Sequence, residues 1–104
     1  MSRKISPVHP GVVLLEDYLK PLGISQNEMA RAMRVPVNRI FEICKGTRNV
    51  TADTALRLSR AIGTTPEFWM NLQARYDLDV AQDKLESKIK QEVLPIDLSH
   101  RRPV

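Results

Sequence analysis

At 104 residues and 11.9 kDa the chain has room for one compact domain with a tail, which excludes a large multi-domain enzyme. Hydrophobic residues at 42% and charged residues at 27% are ordinary globular values, so wholesale disorder is excluded as well. The net charge of +4 is unevenly placed: residues 1–48 hold eight basic and four acidic side chains, and the rest hold eight of each. The first half is therefore where a polyanionic partner such as DNA or RNA is to be sought. With no basic-apolar-small signal pattern at the start and no long uncharged apolar run, a cytoplasmic protein making no membrane contact is expected. The single Cys44 cannot form an internal disulfide.

In chain order, Val12, Leu15, Leu19 and Leu22, with Tyr18 beside them, recur at helical steps and predict helix one. Ser25-Gln26-Asn27-Glu28 is a capping-box sequence, so helix two begins at Gln26 and runs to Met33, with Met29, Ala30 and Met33 on its inner face. Pro36 disfavours a helical Val35 and is tolerated in a first turn, so helix three starts near Pro36, buries Ile40, Ile43 and Cys44, and stops at Gly46. Thr51 caps helix four, Ala52 to Ile62, whose inward residues are Ala55, Leu58 and Ile62 and whose stop is Gly63. Thr65-Pro66-Glu67 opens a fifth helix. The spacing Leu78, Ala81, Leu85, Ile89, Val93 predicts one further amphipathic helix ended by Pro95, followed by a loose tail in which Val93 to Ile96 has the makings of a short strand on a partner.

Helices two and three, short and joined by a tight turn, have the layout of a DNA-binding helix-turn-helix. Ala30 is small where the two helices approach, Val35 is the apolar plug of the turn, and Ile40 and Ile43 anchor the second helix. Arg34 stands where such turns often use glycine, because the backbone there tends toward positive φ. The exposed start of helix three makes Val37, Asn38, Arg39 and Glu42 the candidate base readers. Asn38 suits adenine, Arg39 guanine and Val37 a thymine methyl, while Glu42 either accepts from cytosine or holds Arg39 in position. Gln26, Lys45, Arg48 and Asn49 are the candidate phosphate contacts. Phe41 either flanks the groove or is partly buried. His9 and His100 sit at opposite ends, Cys44 faces inward and no phosphate-cradling glycine loop occurs. No catalytic residue, cofactor or metal site is therefore assigned, and the chain is read as a non-enzyme.

His9-Pro10-Gly11, Leu19 to Ser25, Val35 to Ile40, Thr51 to Leu58 and above all Phe68-Trp69-Met70-Asn71-Leu72-Gln73 resemble the HigA-type antitoxins of the xenobiotic-response-element helix-turn-helix family, over about residues 8–82. With the helices read above, the resemblance points to an all-α, five-helix, lambda-repressor-like domain over 9–78; outside it the chain itself leaves an arm at 1–8 and the C-terminal amphipathic helix and tail at 79–104. The resemblance also implies a homodimer that binds double-stranded DNA at an inverted-repeat operator of its own operon. A HigB-type toxin, a small ribosome-dependent mRNA endonuclease, is the implied partner that it neutralises. Val12, Phe41 and Thr47 depart from residues common in the family.

Phe68, Trp69, Leu72 and Tyr76 form an aromatic-rich stripe that serves as core or as dimer interface, with Trp69 and Tyr76 the stronger interface candidates. A two-fold pair would set its recognition helices about 34 Å apart, one turn of DNA. For the toxin, two surfaces are open: the arm Met1 to Val8 with helix one, and the segment Asp79 to Val104; the C-terminal segment with helix one is preferred. The alternative function is a stand-alone transcriptional regulator without a toxin.

Overall fold

A computed structural model describes residues 6–100, and among them the chain forms five helices and no strand. Helix α1 runs in three segments: Pro10–Val13, a wide π-type stretch Leu14–Leu19, and Lys20–Leu22. It is followed by α2 (Gln26–Met33), α3 (Val37–Lys45), α4 (Ala52–Ile62) and α5 (Pro66–Glu92).

The start of α1 lies two residues before the expected apolar run, because His9 caps it. Its Nδ1 accepts the Gly11 N–H at 2.9 Å, and Pro10 fills the first turn. Gly11 is required there by the close approach of α3: a Cβ at this position would lie 1.7 Å from the Ile43 carbonyl oxygen. The π-type stretch changes which residues face inward. Leu14 and Leu19, five apart and so about 140° apart on a regular α-helix, are both buried, whereas Val12 and Leu22, expected on the inner face, are 46% and 60% exposed.

The remaining boundaries follow their caps. Ser25 Oγ accepts the Glu28 N–H at 3.0 Å, Thr51 Oγ1 the Thr54 N–H at 3.4 Å and Thr65 Oγ1 the Phe68 N–H at 3.2 Å. Pro36 is extended, with φ −60° and ψ 143°, so it precedes α3 instead of opening it. The core joins Leu14 and Leu19 of α1, Met29 and Ala30 of α2, Ile40 and Ile43 of α3, Ala55 and Leu58 of α4, and Trp69 of α5.

The expected break near Leu78 does not occur. Between Pro66 and Glu92 the sequence has no further proline and no glycine, and the ion pairs Arg75–Asp79 and Lys88–Glu92 follow the helix at i,i+4 spacing. The division proposed at 78/79 therefore lies inside one continuous helix. Burial, not backbone, changes there: Trp69 and Gln73 are buried, while Leu78, Leu85 and Ile89 are exposed. At about 100° per residue those three lie on nearly the opposite side of α5 from Trp69 and Gln73. Beyond the helix, Leu94, Ile96 and Leu98 are exposed in a segment that is neither helix nor strand. Residues 1–5 of the N-terminal arm and 101–104 of the tail lie outside the described residues.

Candidate nucleic-acid interface

The turn between α2 and α3 consists of Arg34, Val35 and Pro36. Arg34 adopts φ 59° and ψ 46°, the left-handed conformation that this turn demands, and is the one non-glycine residue to do so among those described. The Val35 N–H then reaches back to the Ala30 carbonyl at 3.1 Å, closing α2, and its side chain packs against the core as the turn's plug. Ala30 is buried where the two helices meet. The geometry is a helix-turn-helix with α3 as the second, recognition helix.

On α3, Asn38 and Lys45 are exposed, and Phe41, 39% exposed, lies beside them one turn from each. Phe41 thus adds an apolar surface to the exposed face of α3. Val37 is half-buried and rests partly on the core, so only part of its side chain is open to a base. Gln26 is half-buried at the first position of α2, and Arg48 and Asn49 are exposed in the loop after α3. Lys45 occupies the last turn of α3, where the helix dipole favours a cation.

The ion pairs at this face differ from the one Glu42–Arg39 pairing that the sequence offered. Glu42 does not hold Arg39; its Oε1 accepts from Arg48 Nε at 2.7 Å. Arg39 instead donates from Nη1 to Asp53 Oδ2 at 3.0 Å, at the start of α4. The reason is position: α4 begins beside the guanidinium, while Glu42 is drawn to the loop in which Thr47 also binds the Glu42 carbonyl.

Sequence reasoning assigned no role to Gln73 or His9, although the motifs quoted above contain both. Gln73 is buried on α5 and clamps the loop after α3: Oε1 accepts the Val50 N–H at 2.7 Å, and Nε2 donates to Asn49 Oδ1 at 3.2 Å. His9 is buried with its ring against Gly46 and edge-on to Tyr76, at a centroid distance of 4.9 Å.

Trp69 is a correction. Expected at a dimer surface, it is fully buried within the single chain, where Nε1 donates to Thr64 Oγ1 at 2.7 Å and the indole packs against Tyr18 and Phe68. It has no surface to offer a second copy. Phe68, Leu72 and Tyr76 are half-buried. Burial pushes the Cys44 thiol up to about 11, so little reactive thiolate exists at neutral pH. Among the described residues no helix is long and apolar enough to cross a membrane, and no group of three His, Cys, Asp or Glu residues is placed to hold a metal ion.

The fold and this face define a lambda-repressor-like helix-turn-helix domain, a class of DNA-binding regulators and not of enzymes. The helix-turn-helix family model matches residues 15–69. The chain is 36% identical to antitoxin HigA-1 of Vibrio cholerae, over 84% of this chain and 82% of that one. It is similar to the solved structure of a HigA-family addiction module antidote protein from Coxiella burnetii, at 46% identity and a TM-score of 0.84, covering 88% of this chain and 100% of that one. Pseudomonas aeruginosa antitoxin HigA, solved with the higBA promoter, matches at 37% identity and a TM-score of 0.84, covering 86% of this chain and 98% of that one. The chain belongs to the HigA-type antitoxins of the xenobiotic-response-element helix-turn-helix family.

Proposed function

We propose that this protein is a cytoplasmic, dimeric antitoxin that represses its own operon and neutralises a HigB-type mRNA endonuclease. The observation that carries the repressor half is the exposed face of α3, on which Asn38, Phe41 and Lys45 stand together beside Arg39. In this reading Val37, Asn38, Arg39 and Glu42 meet base edges, and Gln26, Lys45, Arg48 and Asn49 meet phosphates. The relative solved with its promoter supports the same use of the fold.

Phe68, Leu72 and Tyr76 supply the dimer contact, which sets the two α3 helices one DNA turn apart on inverted half-sites. The toxin surface belongs to the C-terminal segment with α1, where the exposed stripe Leu78, Leu85 and Ile89 offers apolar area turned away from the chain's own core. Toxin binding and DNA binding then use different parts of one chain.

The deciding experiment expresses the small open reading frame adjacent to this gene with and without this protein. Growth arrest alone and rescue on co-expression are expected. A harmless neighbour, or arrest that persists while this protein is folded and abundant, makes it a stand-alone transcriptional regulator.

A further inference from the structure

Arg39 is tied into the scaffold through a chain of hydrogen bonds that crosses three helices. Asp53, the second residue of α4, accepts from Arg39 Nη1 at 3.0 Å through Oδ2, and both its oxygens accept from Arg57 Nε at 3.1 Å. Arg57 Nη1 in turn donates at 2.9 Å to the main-chain carbonyl of Met33, the last residue of α2. That carbonyl has no partner within its own helix, so Arg57 satisfies a helix end while it fixes the acid. The Arg57 hydrogen bond first, and Arg39 after it, hold the Asp53 carboxyl below its ordinary range, and it stays ionised at neutral pH.

A carboxylate is costly in this place. Asp53 lines one surface cleft with Arg39, Arg48, Asn49 and Thr51, among groups assigned to DNA, and a negative charge there opposes a polyphosphate. What it provides is orientation. A guanidinium carries five donors in a planar fork, and guanine takes two parallel bonds from it. Asp53 engages one donor on Nη1, which restrains the fork at that end and leaves other donors for a base. Part of the rotamer freedom that would be lost on binding is then already given up in the unbound protein.

We propose that Asp53 is a positioning residue for base recognition: linked through Arg57 to the end of α2, it locks the Arg39 guanidinium in its reading orientation and sets sequence preference without touching DNA. The inference rests on the reading of Arg39 as a base contact.

The test uses the full chain and two duplexes: the sequence that wild-type protein enriches from a randomised pool, and a shuffled sequence of equal composition. Asp53→Asn, Asp53→Glu, Arg39→Ala and Arg39→Ala with Asp53→Asn are compared after their melting temperatures. Asp53→Asn is expected to cut the affinity ratio of the two duplexes about tenfold, within the range of one lost base contact. It also relaxes the same base pair that Arg39→Ala relaxes, and has no effect on the ratio once Arg39 is gone. Asp53→Glu keeps the charge but displaces the carboxylate, so it too lowers the ratio. If Asp53→Asn shifts both duplexes by one factor and Asp53→Glu keeps the wild-type ratio, Asp53 acts only as a charge and the positioning role is overturned. If Arg39→Ala leaves base preference intact, or no sequence is enriched, the base-reading assignment has failed, and the inference fails with it.

Discussion

Gln73 on α5 accepts the Val50 N–H at 2.7 Å across 23 residues of sequence, and so ties the loop after the recognition helix to the last helix of the domain. Its amide also donates to Asn49 and, at 2.9 Å, to Asp77 Oδ1, so a single buried side chain satisfies itself and orders two loop residues. A loop of irregular backbone needs such partners wherever it is buried, and Val50 is buried. Arg48 and Asn49, proposed phosphate contacts, thus gain a fixed position from a helix that does not approach DNA in the proposed reading.

Gln73→Leu keeps the volume and removes the acceptor. Leaving the buried Val50 N–H unpaired costs about 1–3 kcal/mol, and DNA affinity falls because Asn49 is released. Denaturant unfolding measures the first effect, and hydrogen exchange at the Val50 amide locates it. An amide as protected as in wild type means that the loop is held by other contacts.

Trp69→Ala is expected to destabilise the single chain by about 3–5 kcal/mol, the cost of emptying a buried aromatic site. Trp69→Phe loses less, chiefly the hydrogen bond to Thr64, worth about 1 kcal/mol. Denaturant midpoints order the three proteins. A Trp69→Ala variant as stable as wild type that sediments only as a monomer returns this residue to the interface.

The caps at Ser25 and Thr51, the turn and the recognition helix were legible because each depends on neighbours in sequence: Ser25 with Glu28, Thr51 with Thr54, and Pro36 before Val37; the His9 cap of α1 was not. The π-type stretch of α1 was not legible, since Leu14 and Leu19 share a face only after the helix has widened. The continuity of α5 was hidden by its change of apolar face near Leu78, which resembles a new helix when periodicity is the sole guide. The partners of Glu42 and Arg39 depend on where α4 starts in space, and residue spacing along α3 carries no information about that.

Arg34→Gly is expected to stabilise the fold. Arg34 holds a left-handed backbone at φ 59°, which costs an L-residue about 1–2 kcal/mol and glycine almost nothing. The gain is partly offset because glycine has more freedom in the unfolded chain. Thermal unfolding of the variant above the wild-type midpoint is the expected result. An unchanged or lower midpoint means that contacts of the Arg34 side chain outweigh the backbone strain.

Lys45→Ala separates grip from reading. Lys45 is exposed on the last turn of α3, and as a phosphate contact it adds affinity for every sequence alike. The variant should weaken specific and shuffled duplexes by one factor and lower the slope of log affinity against log salt by about one. An unchanged slope removes Lys45 from the phosphate contacts.

Acid is expected to weaken the fold through His9. Its Nδ1 accepts the Gly11 N–H, and burial pushes its pKa below the ordinary value of about 6.5, against the opposing pull of the Arg48 backbone and the Asp77 carboxylate. A lowered folded-state value means that the unfolded chain takes up this proton first as pH falls. The stability in question is therefore complete above about 6.5 and declines below it, until the buried imidazole itself is protonated and its cap to Gly11 is lost. His9→Asn retains a capping oxygen without titrating, so its unfolding free energy lacks this step, while exposed His100 is common to both proteins. Unfolding measured from about pH 7 to pH 5 should show a steeper loss in wild type than in His9→Asn. Parallel curves assign the acid sensitivity to other groups.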